Sequence, residues 1–170
     1  VLSRCEYDKI KLIAIDGVFS MEGDIANLPK IVELAEKYNA SIMVDDAHGL
    51  GVLGQNGSGT SNHFGLTDKV DLIMGTFSKS LASIGGFIAA DLDTINYLKH
   101  NARSLIFSAS IAPANAASVI AAVDLIQKEP ERIQRLWDNT HYAMAALKKA
   151  GFDTGHSVTP IIPILIRDDY

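Results

Sequence analysis

The sequence predicts an α/β protein built on a mostly parallel sheet flanked by helices. Two short apolar segments, Lys11–Asp16 and Ser41–Asp46, each end in acidic residues, as strands buried on both faces often do. An amphipathic helix pattern at residues 27–39 separates them, and strand, helix, strand is the order of a parallel βαβ unit. Two further strands are predicted at Asp71–Thr76 and Gly85–Ala90. This alternation of strand and helix patterns predicts the α/β fold class.

Further helices are predicted after the fourth strand by their end signals and apolar periodicity. One extends from Asp91 towards Ala102, and an alanine-rich segment with Pro113 near its start has the pattern of a buried helix. The last helix starts at Pro130 among acidic residues and ends just before Gly151, with two lysines in its final turn, as the helix dipole favours.

Composition and charge exclude several classes of function. Of the 170 residues, 48% are hydrophobic and 21% are charged, which is typical of a globular protein. The net charge is −5 and no basic cluster is present, so neither nucleic acid nor an anionic membrane is an expected partner. No apolar run approaches the roughly 20 residues of a transmembrane segment. The single cysteine, Cys5, excludes an internal disulfide framework and fits a cytoplasmic location.

One glycine-rich segment imitates a dinucleotide-binding motif. "GLGVLG", residues 49–54, follows a predicted strand and has the spacing Gly-x-Gly-x-x-Gly. That motif works by opening a helix, whereas the next residues, "QNGSGTSNHFG", contain three more glycines and no helical period. We therefore interpret the segment as a glycine loop with a turn at Asn56–Gly57, and no Walker-type Gly-Lys-Ser/Thr follows it.

The acidic motif "DDAH" just before this loop has two explanations when taken alone. Asp45 or Asp46 could join His48 in a metal site, but the other four histidines lie in unrelated surroundings. Acids at strand ends often cap turns, and an isolated histidine is commonly a hydrogen-bonding residue. The motif alone favours this second explanation, and no metal site is predicted.

A lysine directly after the predicted third strand changes this balance. In "GTFSKS", Lys79 lies between Ser78 and Ser80 just beyond a buried strand, although lysines usually occupy solvated helix faces. In parallel α/β sheets, ligands bind outside the carboxyl ends of the strands. Asp45, His48 and Lys79 are therefore expected to converge there.

This combination suits pyridoxal phosphate (PLP). Lys79 would condense with the aldehyde, and Asp45 would keep the pyridine nitrogen protonated so that the ring acts as an electron sink. His48 could hydrogen-bond the phenolate oxygen of the ring, while Thr76 and Ser78 could donate to the phosphate. A metal- or nucleotide-binding module ranks below this hypothesis.

Ser108 is a further candidate for the phosphate. It precedes the helix that begins near Pro113 and so stands near a positive helix end, where anions bind. A plain N-cap role for Ser108 explains its position equally well.

Four segments together resemble the α-oxoamine synthases, a branch of the fold-type I PLP enzymes. They are "IDGVFSMEGDIANLP", "VDDAHGLGVLGQNGSGT", "GTFSKSLASIGGFIA" and "RSLIFSASIAPA", and the resemblance covers nearly the whole chain. Within this branch, "TFSKSLAS" is most similar to the bacterial serine palmitoyltransferases. The resemblance implies an aspartate aminotransferase-like large domain and a homodimer with shared active sites.

The resemblance also implies a role for each candidate residue. Ser20 and His48 would touch the cofactor ring or its oxygen, and Ser108 would reach the phosphate of the neighbouring subunit. The remaining implied contacts are Asp45 with the pyridine nitrogen, Lys79 with the aldehyde, and Thr76 and Ser78 with the phosphate.

The implied reaction joins an amino acid, L-serine, to a long-chain acyl-CoA with decarboxylation, giving a 3-ketosphinganine-type aminoketone. A glycine C-acetyltransferase or another α-oxoamine synthase is the alternative, although the glycine acetyltransferases usually carry a glycine before the lysine. A non-catalytic partner subunit is an alternative of a different class, and it need not retain Lys79.

The family has elements that this sequence lacks. It places a ring-stacking histidine and a glycine-rich phosphate loop upstream, and the arginine that binds the substrate carboxylate downstream. Residues 1–128 are therefore expected to be the central and C-terminal part of the PLP-binding large domain. Residues 129–170 are expected to be the linking helix and first strand of a small domain. The chain by itself is expected to be inactive.

Overall fold

A four-stranded sheet forms the centre of the computed structural model, which describes residues 1–6 and 9–166. The strands are β1 (Leu12–Asp16), β2 (Ser41–Asp45), β3 (Leu72–Thr76) and β4 (Gly86–Ala90), in the spatial order β1-β2-β3-β4. β1, β2 and β3 are parallel, and β4 is antiparallel to β3. The loop from β3 to β4 contains no helix that could return the chain to the starting edge, so β4 runs back beside β3. The predicted mostly parallel sheet is confirmed.

Six helices accompany the sheet in the described part of the chain. They are α1 (Leu28–Tyr38), α2 (Thr60–His63), α3 (Leu92–Asn101), α4 (Arg103–Ile106), α5 (Pro113–Lys128) and α6 (Glu131–Lys149). Short 3-10 turns lie at Leu2–Arg4, Gln55–Gly57 and Thr67–Lys69. None of these described helices has the length and hydrophobicity that crossing a bilayer requires.

The core of the βαβ unit lies between α1 and β2. Asn27 caps α1 by accepting a hydrogen bond from Lys30 N at 3.2 Å, as its position before Pro29 predicts. The buried face of the helix meets the buried side chains of β2 in one cluster, which consists of Leu28, Val32, Ala35, Ile42 and Val44. Each fully buried aliphatic side chain of this size contributes about 1.5–3 kcal/mol. This packing fixes the position at which β2 ends.

The prediction that α5 is a buried helix is wrong for this chain. The helix has no fully buried residue, and Ile120, Val123 and Leu125 are exposed. One end of the helix is held by Ser83, whose hydroxyl donates to Asn115 O at 3.2 Å. The alanine-rich periodicity specified an apolar surface, but the described residues do not cover it.

The segment after α6 attaches to the loop that follows β1. Ser157 and Thr159 donate their hydroxyls to Gly23 O at 3.4 and 2.9 Å. The strand predicted here is not formed in residues 161–166, because a strand needs a partner and these residues pair with none of the described strands. Its last residues, 167–170, lie outside the described part. The division into two domains stays a prediction.

Candidate active site

The polar ends of three parallel strands meet at one edge of the sheet. Asp16 at the end of β1 pairs in register with Asp45 at the end of β2, and Asp45 pairs with Met74 of β3. Backbone bonds continue this alignment beyond the strands, since Gly17 N donates to Asp45 O and Asp46 N donates to Met74 O, both at 2.8 Å. This edge collects the polar residues that the sequence placed after each strand.

The loop after β2 turns back sharply instead of opening a long helix. Gly49 N and Leu50 N both donate to Asp46 O, at 3.2 and 2.9 Å, and Gly51 N donates to Gly57 O at 2.8 Å. Asn56 and Gly57 have φ angles of 51° and 72°, which is the left-handed geometry of the predicted turn. The interpretation of "GLGVLG" as a glycine loop is confirmed.

His48 and Lys79 line one cavity of about 360 Å³ at this edge. Its other walls are mainly apolar and come from the loop after β2, α5, α6 and the segment at Thr159–Ile161. The side chain of Arg132, at the start of α6, also lines it. The structure thus brings together His48 and Lys79, which the sequence assigns to the ring oxygen and to the aldehyde of the cofactor.

Burial and the neighbouring charges do not all shift the pKa of His48 in the same direction. Burial lowers the pKa of the His48 imidazole below its ordinary value of 6.5, and the positive charge of Lys79 lowers it further. Asp45 and Asp16 act in the opposite direction but more weakly. The net direction is downward, so His48 is neutral near pH 7 and can donate one hydrogen bond and accept another.

Asp45 is half-buried at the end of β2. Its Oδ1 accepts a hydrogen bond from Ala47 N at 3.0 Å, which fixes the carboxylate against the turn that carries His48. Asp45 lines a second cavity, of about 380 Å³, together with Asp16 and Phe19. Asp45 does not line the His48–Lys79 cavity, but its charge acts on His48.

The loop after β3 holds two hydroxyls close to each other beside Lys79. The Oγ atoms of Thr76 and Ser78 are 2.9 Å apart, and Ser78 N donates to Thr76 Oγ1 at 3.3 Å. Ala82 N donates to Lys79 O at 3.0 Å with Ala82 at a φ of 47°, a conformation that is unusual for alanine. The Lys79 side chain itself is exposed.

Ser20 and Ser108 are not brought into this group. Both are exposed and line neither of the two cavities. The Ser108 hydroxyl donates to Ser104 O in the turn before it. The N-cap interpretation of Ser108 is wrong, because Ala112 occupies that position of α5.

Two residues of the site carried little sequence signal. Asp46 is buried beneath the turn and bonds to Thr60. Asp46 could have been noticed as the second acid of "DDAH", but nothing in the sequence pairs it with a threonine 14 positions later. Arg132 carries no such signal either, because only the packing of α6 brings it to the cavity.

The donor set fits PLP chemically. An amine, a half-buried carboxylate, a neutral imidazole and two adjacent hydroxyls are the groups that an aldehyde, a pyridine nitrogen, a phenolate and a phosphate require. Among residues 1–6 and 9–166, no three histidine, cysteine or acidic side chains lie close enough together to hold a metal ion.

Comparison with known proteins identifies the family. A family model described as aminotransferase class I and II matches residues 2–169. The chain belongs to this family. The aminotransferase-like fold is also that of a solved serine palmitoyltransferase from S. paucimobilis with bound PLP and myriocin, at a TM-score of 0.93 and 33% identity, over 99% of this chain and 44% of that one. A Sphingomonas wittichii serine palmitoyltransferase matches at a TM-score of 0.92 and 32% identity, over 99% of this chain and 43% of that chain.

Curated relatives narrow the branch of the aminotransferase family. A serine palmitoyltransferase of Bacteroides ovatus is 62% identical over 167 residues, which are 98% of this chain and 42% of the relative. An 8-amino-7-oxononanoate synthase of Thermosipho melanesiensis is 54% identical over 158 residues, 93% of this chain and 40% of the relative. The resemblance to the α-oxoamine synthases is confirmed. The chain spans about two fifths of the length of these relatives.

Proposed function

We propose that this chain is part of a PLP-dependent acyltransferase that condenses L-serine with a long-chain acyl-CoA. Decarboxylation accompanies the condensation and leaves a 3-ketosphinganine-type aminoketone. The observation that carries the proposal is the cavity shared by Lys79 and His48, beside Asp45, at the carboxyl edge of a parallel sheet. The higher identity to serine palmitoyltransferases than to 8-amino-7-oxononanoate synthases supports serine as the amino acid.

PLP, when bound, supplies an electron sink for the electron pair left at the α-carbon of the amino acid. In this proposal Asp45 holds the proton on the pyridine nitrogen, and His48 hydrogen-bonds the phenolate oxygen. Thr76 and Ser78 bind the phosphate, for which their adjacent hydroxyls provide two donors. The contact of Ser20 with the ring is proposed from the sequence resemblance alone, because Ser20 is exposed and lines neither cavity.

Lys79 has two roles in the proposed reaction. Its Nζ would hold the aldehyde carbon of PLP in the resting enzyme, and it would be released when the amino group of the substrate takes its place. The free amine then takes the proton from the α-carbon, a role that suits an amine whose side chain is exposed to the cavity. The α-carbon would then attack the thioester carbonyl of the acyl-CoA, and the CoA thiolate would leave and take up a proton. The carboxylate would leave as CO2, and the α-carbon would take back a proton from Lys79 to give the aminoketone.

The proposed enzyme is a cytoplasmic homodimer with shared active sites. Ser108 is assigned to the phosphate bound by the neighbouring subunit. Its exposed position supports this role, because Ser108 lines neither cavity of its own chain and is accessible to a second one.

A second candidate function is another α-oxoamine synthase activity. The 54% identity to an 8-amino-7-oxononanoate synthase favours this candidate, and a glycine C-acetyltransferase is a further member of the same set. A non-catalytic partner subunit is disfavoured because Lys79 is present.

The test is to assay the full-length protein, loaded with PLP, for release of CoA thiol. Serine, glycine and alanine are each combined with acetyl-CoA and with acyl-CoAs of increasing length. Serine with palmitoyl-CoA should turn over fastest, and Lys79→Ala should abolish turnover. Efficient use of glycine with acetyl-CoA, and none of serine with palmitoyl-CoA, would replace the proposal by a glycine C-acetyltransferase.

A further inference from the structure

Thr60 holds the carboxylate of Asp46 by two hydrogen bonds. Asp46 Oδ1 accepts a hydrogen bond from Thr60 Oγ1 at 2.6 Å, and Asp46 Oδ2 accepts one from Thr60 N at 2.7 Å. Both residues are buried, with 2% and 0% of their surfaces exposed. This pair, which we call the Asp46–Thr60 clamp, closes the loop that begins directly after Asp45.

Three glycines surround the clamp so closely that none of them could carry a side chain. A Cβ atom on Gly49 would lie 2.0 Å from Asp46 Oδ1, and one on Gly59 would lie 2.0 Å from Asp46 Oδ2. A Cβ atom on Gly17 would lie 2.5 Å from Thr60 Oγ1. Such distances are far inside van der Waals contact, so part of the glycine content of "GLGVLGQNGSG" serves to enclose a carboxylate.

The clamp fixes the turn that carries the two proposed ring contacts. Asp46 lies between Asp45 and the Ala47–His48 dipeptide, and its backbone bonds to Met74 of β3 and to Gly49 and Leu50. Because the clamp ties this turn to Thr60, its loss would loosen the backbone that carries Asp45 on one side and His48 on the other.

Stability alone does not explain a carboxylate at this position. Burial raises the pKa of Asp46, and the negative charge of Asp45 raises it further, while only the two bonds from Thr60 oppose these effects. None of the ion pairs found among the described residues involves Asp46. A buried charge without a cationic partner costs folding free energy.

We propose that Asp46 is a positioning residue, whose carboxylate, clamped by Thr60, holds the turn so that Asp45 and His48 keep their places against the cofactor ring. This inference rests on the proposed function, because it assigns Asp46 and Thr60 to the same site. Asp46 touches neither the substrate nor the cofactor in this account and acts through its neighbours in the chain.

The test compares Thr60→Val, Thr60→Ser and Asp46→Asn in the full-length protein loaded with PLP. Thr60→Val keeps the shape and the N–H but removes the hydroxyl donor. We expect kcat to fall about tenfold or more, the effect of losing a hydrogen bond to a charged group, while KM for serine changes by less than about twofold. Thr60→Ser restores the donor and should restore kcat. Asp46→Asn should behave like Thr60→Val.

A spectroscopic readout separates positioning from simple support of the fold. The pH midpoint of the visible band of bound PLP reports the charges that face the cofactor, to which Asp45 and His48 contribute in the proposed function. Thr60→Val should shift this midpoint by about half a pH unit or more. Ser61→Ala is the matched control, because Ser61 is buried next to Thr60 and its hydroxyl has no partner among the described residues. This control should leave the midpoint and kcat unchanged.

The outcomes distinguish this proposal from the function on which it rests. If wild-type protein binds PLP and turns over serine, but Thr60→Val lowers only the melting temperature, Asp46 supports the fold and the positioning role is overturned. If the wild-type protein binds no PLP, the proposed function fails and the positioning role fails with it.

Discussion

At the scale of single residues, His48 is the group whose protonation the site controls most clearly. Burial and Lys79 lower its pKa, so the folded protein resists protonating His48 more than the unfolded chain does. The stability that this shift contributes is fully present above the ordinary value of 6.5 and is lost as the pH falls through the lower pKa of the folded state.

This shift predicts a pH-dependent free energy of unfolding. In the full-length protein without PLP, His48→Gln should lose less stability than wild type as the pH is lowered from 7.5 to about 5.5. Chemical unfolding at several pH values measures the difference. His100→Gln, at an exposed position of α3, is the control and should retain the wild-type dependence. Identical pH profiles for wild type and His48→Gln would contradict the electrostatic account.

Asp45 allows a sharper separation of fold from function. Asp45→Asn keeps an oxygen that can accept from Ala47 N, so the melting temperature should change little. Turnover should fall by about a hundredfold or more, as is typical when a group that controls a proton in catalysis is lost. Steady-state assays of the PLP-loaded protein measure this. Turnover within about threefold of wild type would show that Asp45 does not hold the pyridine proton.

The sequence identified the charged residues that follow apolar strands, but it did not reveal the buried residues that form hydrogen bonds in the same loops. Lys79 and Asp45 stand out because charged residues follow apolar strands, and the parallel register of β2 and β3 places both strand ends at the same edge of the sheet. Thr60 is an ordinary threonine in a glycine-rich loop, and only the folded loop reveals its bonds to Asp46. Ser20 and Ser108 were identified by resemblance alone, and their roles stay predictions.

At the scale of elements, the loop between β2 and α2 is the most tightly determined part of the site. Position 49 requires glycine because a Cβ atom there would collide with the Asp46 carboxylate. Its backbone angles would be acceptable for any residue. A position such as Gly65, with a φ of 66° and no atom within 4 Å of its absent Cβ, is the opposite case.

This contrast predicts two different costs for the same substitution. Gly49→Ala should destabilise the protein by about 3 kcal/mol or more, because its Cβ would overlap the Asp46 carboxylate. Gly65→Ala should cost only about 1 kcal/mol, the price of a left-handed alanine. Thermal unfolding measures both values. A Gly49→Ala protein as stable as Gly65→Ala would mean that the carboxylate does not occupy the space seen here.

Elements with complete local signals were predicted well. The cap at Asn27 and the apolar stripe of α1 placed that helix correctly, because its partner β2 lies in the same βαβ unit. The alanine-rich pattern of α5 was sufficient for a helix but not for burial, which depends on residues elsewhere in the fold. Residues 161–166 form no strand among the described residues, and the first strand of a small domain stays a prediction, since strands depend on partners more than helices do.

At the scale of the whole molecule, the chain spans 42% of the length of the serine palmitoyltransferase that it matches at 62% identity. Large apolar side chains are exposed outside the site, including Phe107 at 78% and Ile120 at 67%. Exposed apolar surface of this kind is typical of faces that other parts of a protein, or another subunit, cover.

We therefore predict that residues 1–170 expressed alone make no aminoketone. The match to the serine palmitoyltransferase of Bacteroides ovatus covers 42% of that relative, and the sequence resemblance places the arginine that binds the substrate carboxylate outside residues 1–170, so serine would lack its main anchor in this segment. The product is measured by mass spectrometry after incubation with PLP, serine and palmitoyl-CoA, with the full-length protein as the positive control. Product formed by the short chain at more than about a hundredth of the full-length rate would contradict this.

The assignment of Lys79 as the PLP-binding residue is tested most directly by identifying the lysine that holds the cofactor. Borohydride reduction of the PLP-loaded full-length protein fixes the cofactor to the amine that holds it, and peptide mapping by mass spectrometry locates that amine. We expect a single modified peptide that carries the label on Lys79, and we expect no labelled peptide from the Lys79→Ala protein. A label on a different lysine, or equal labelling of the Lys79→Ala protein, would contradict the assignment of this edge of the sheet as the active site.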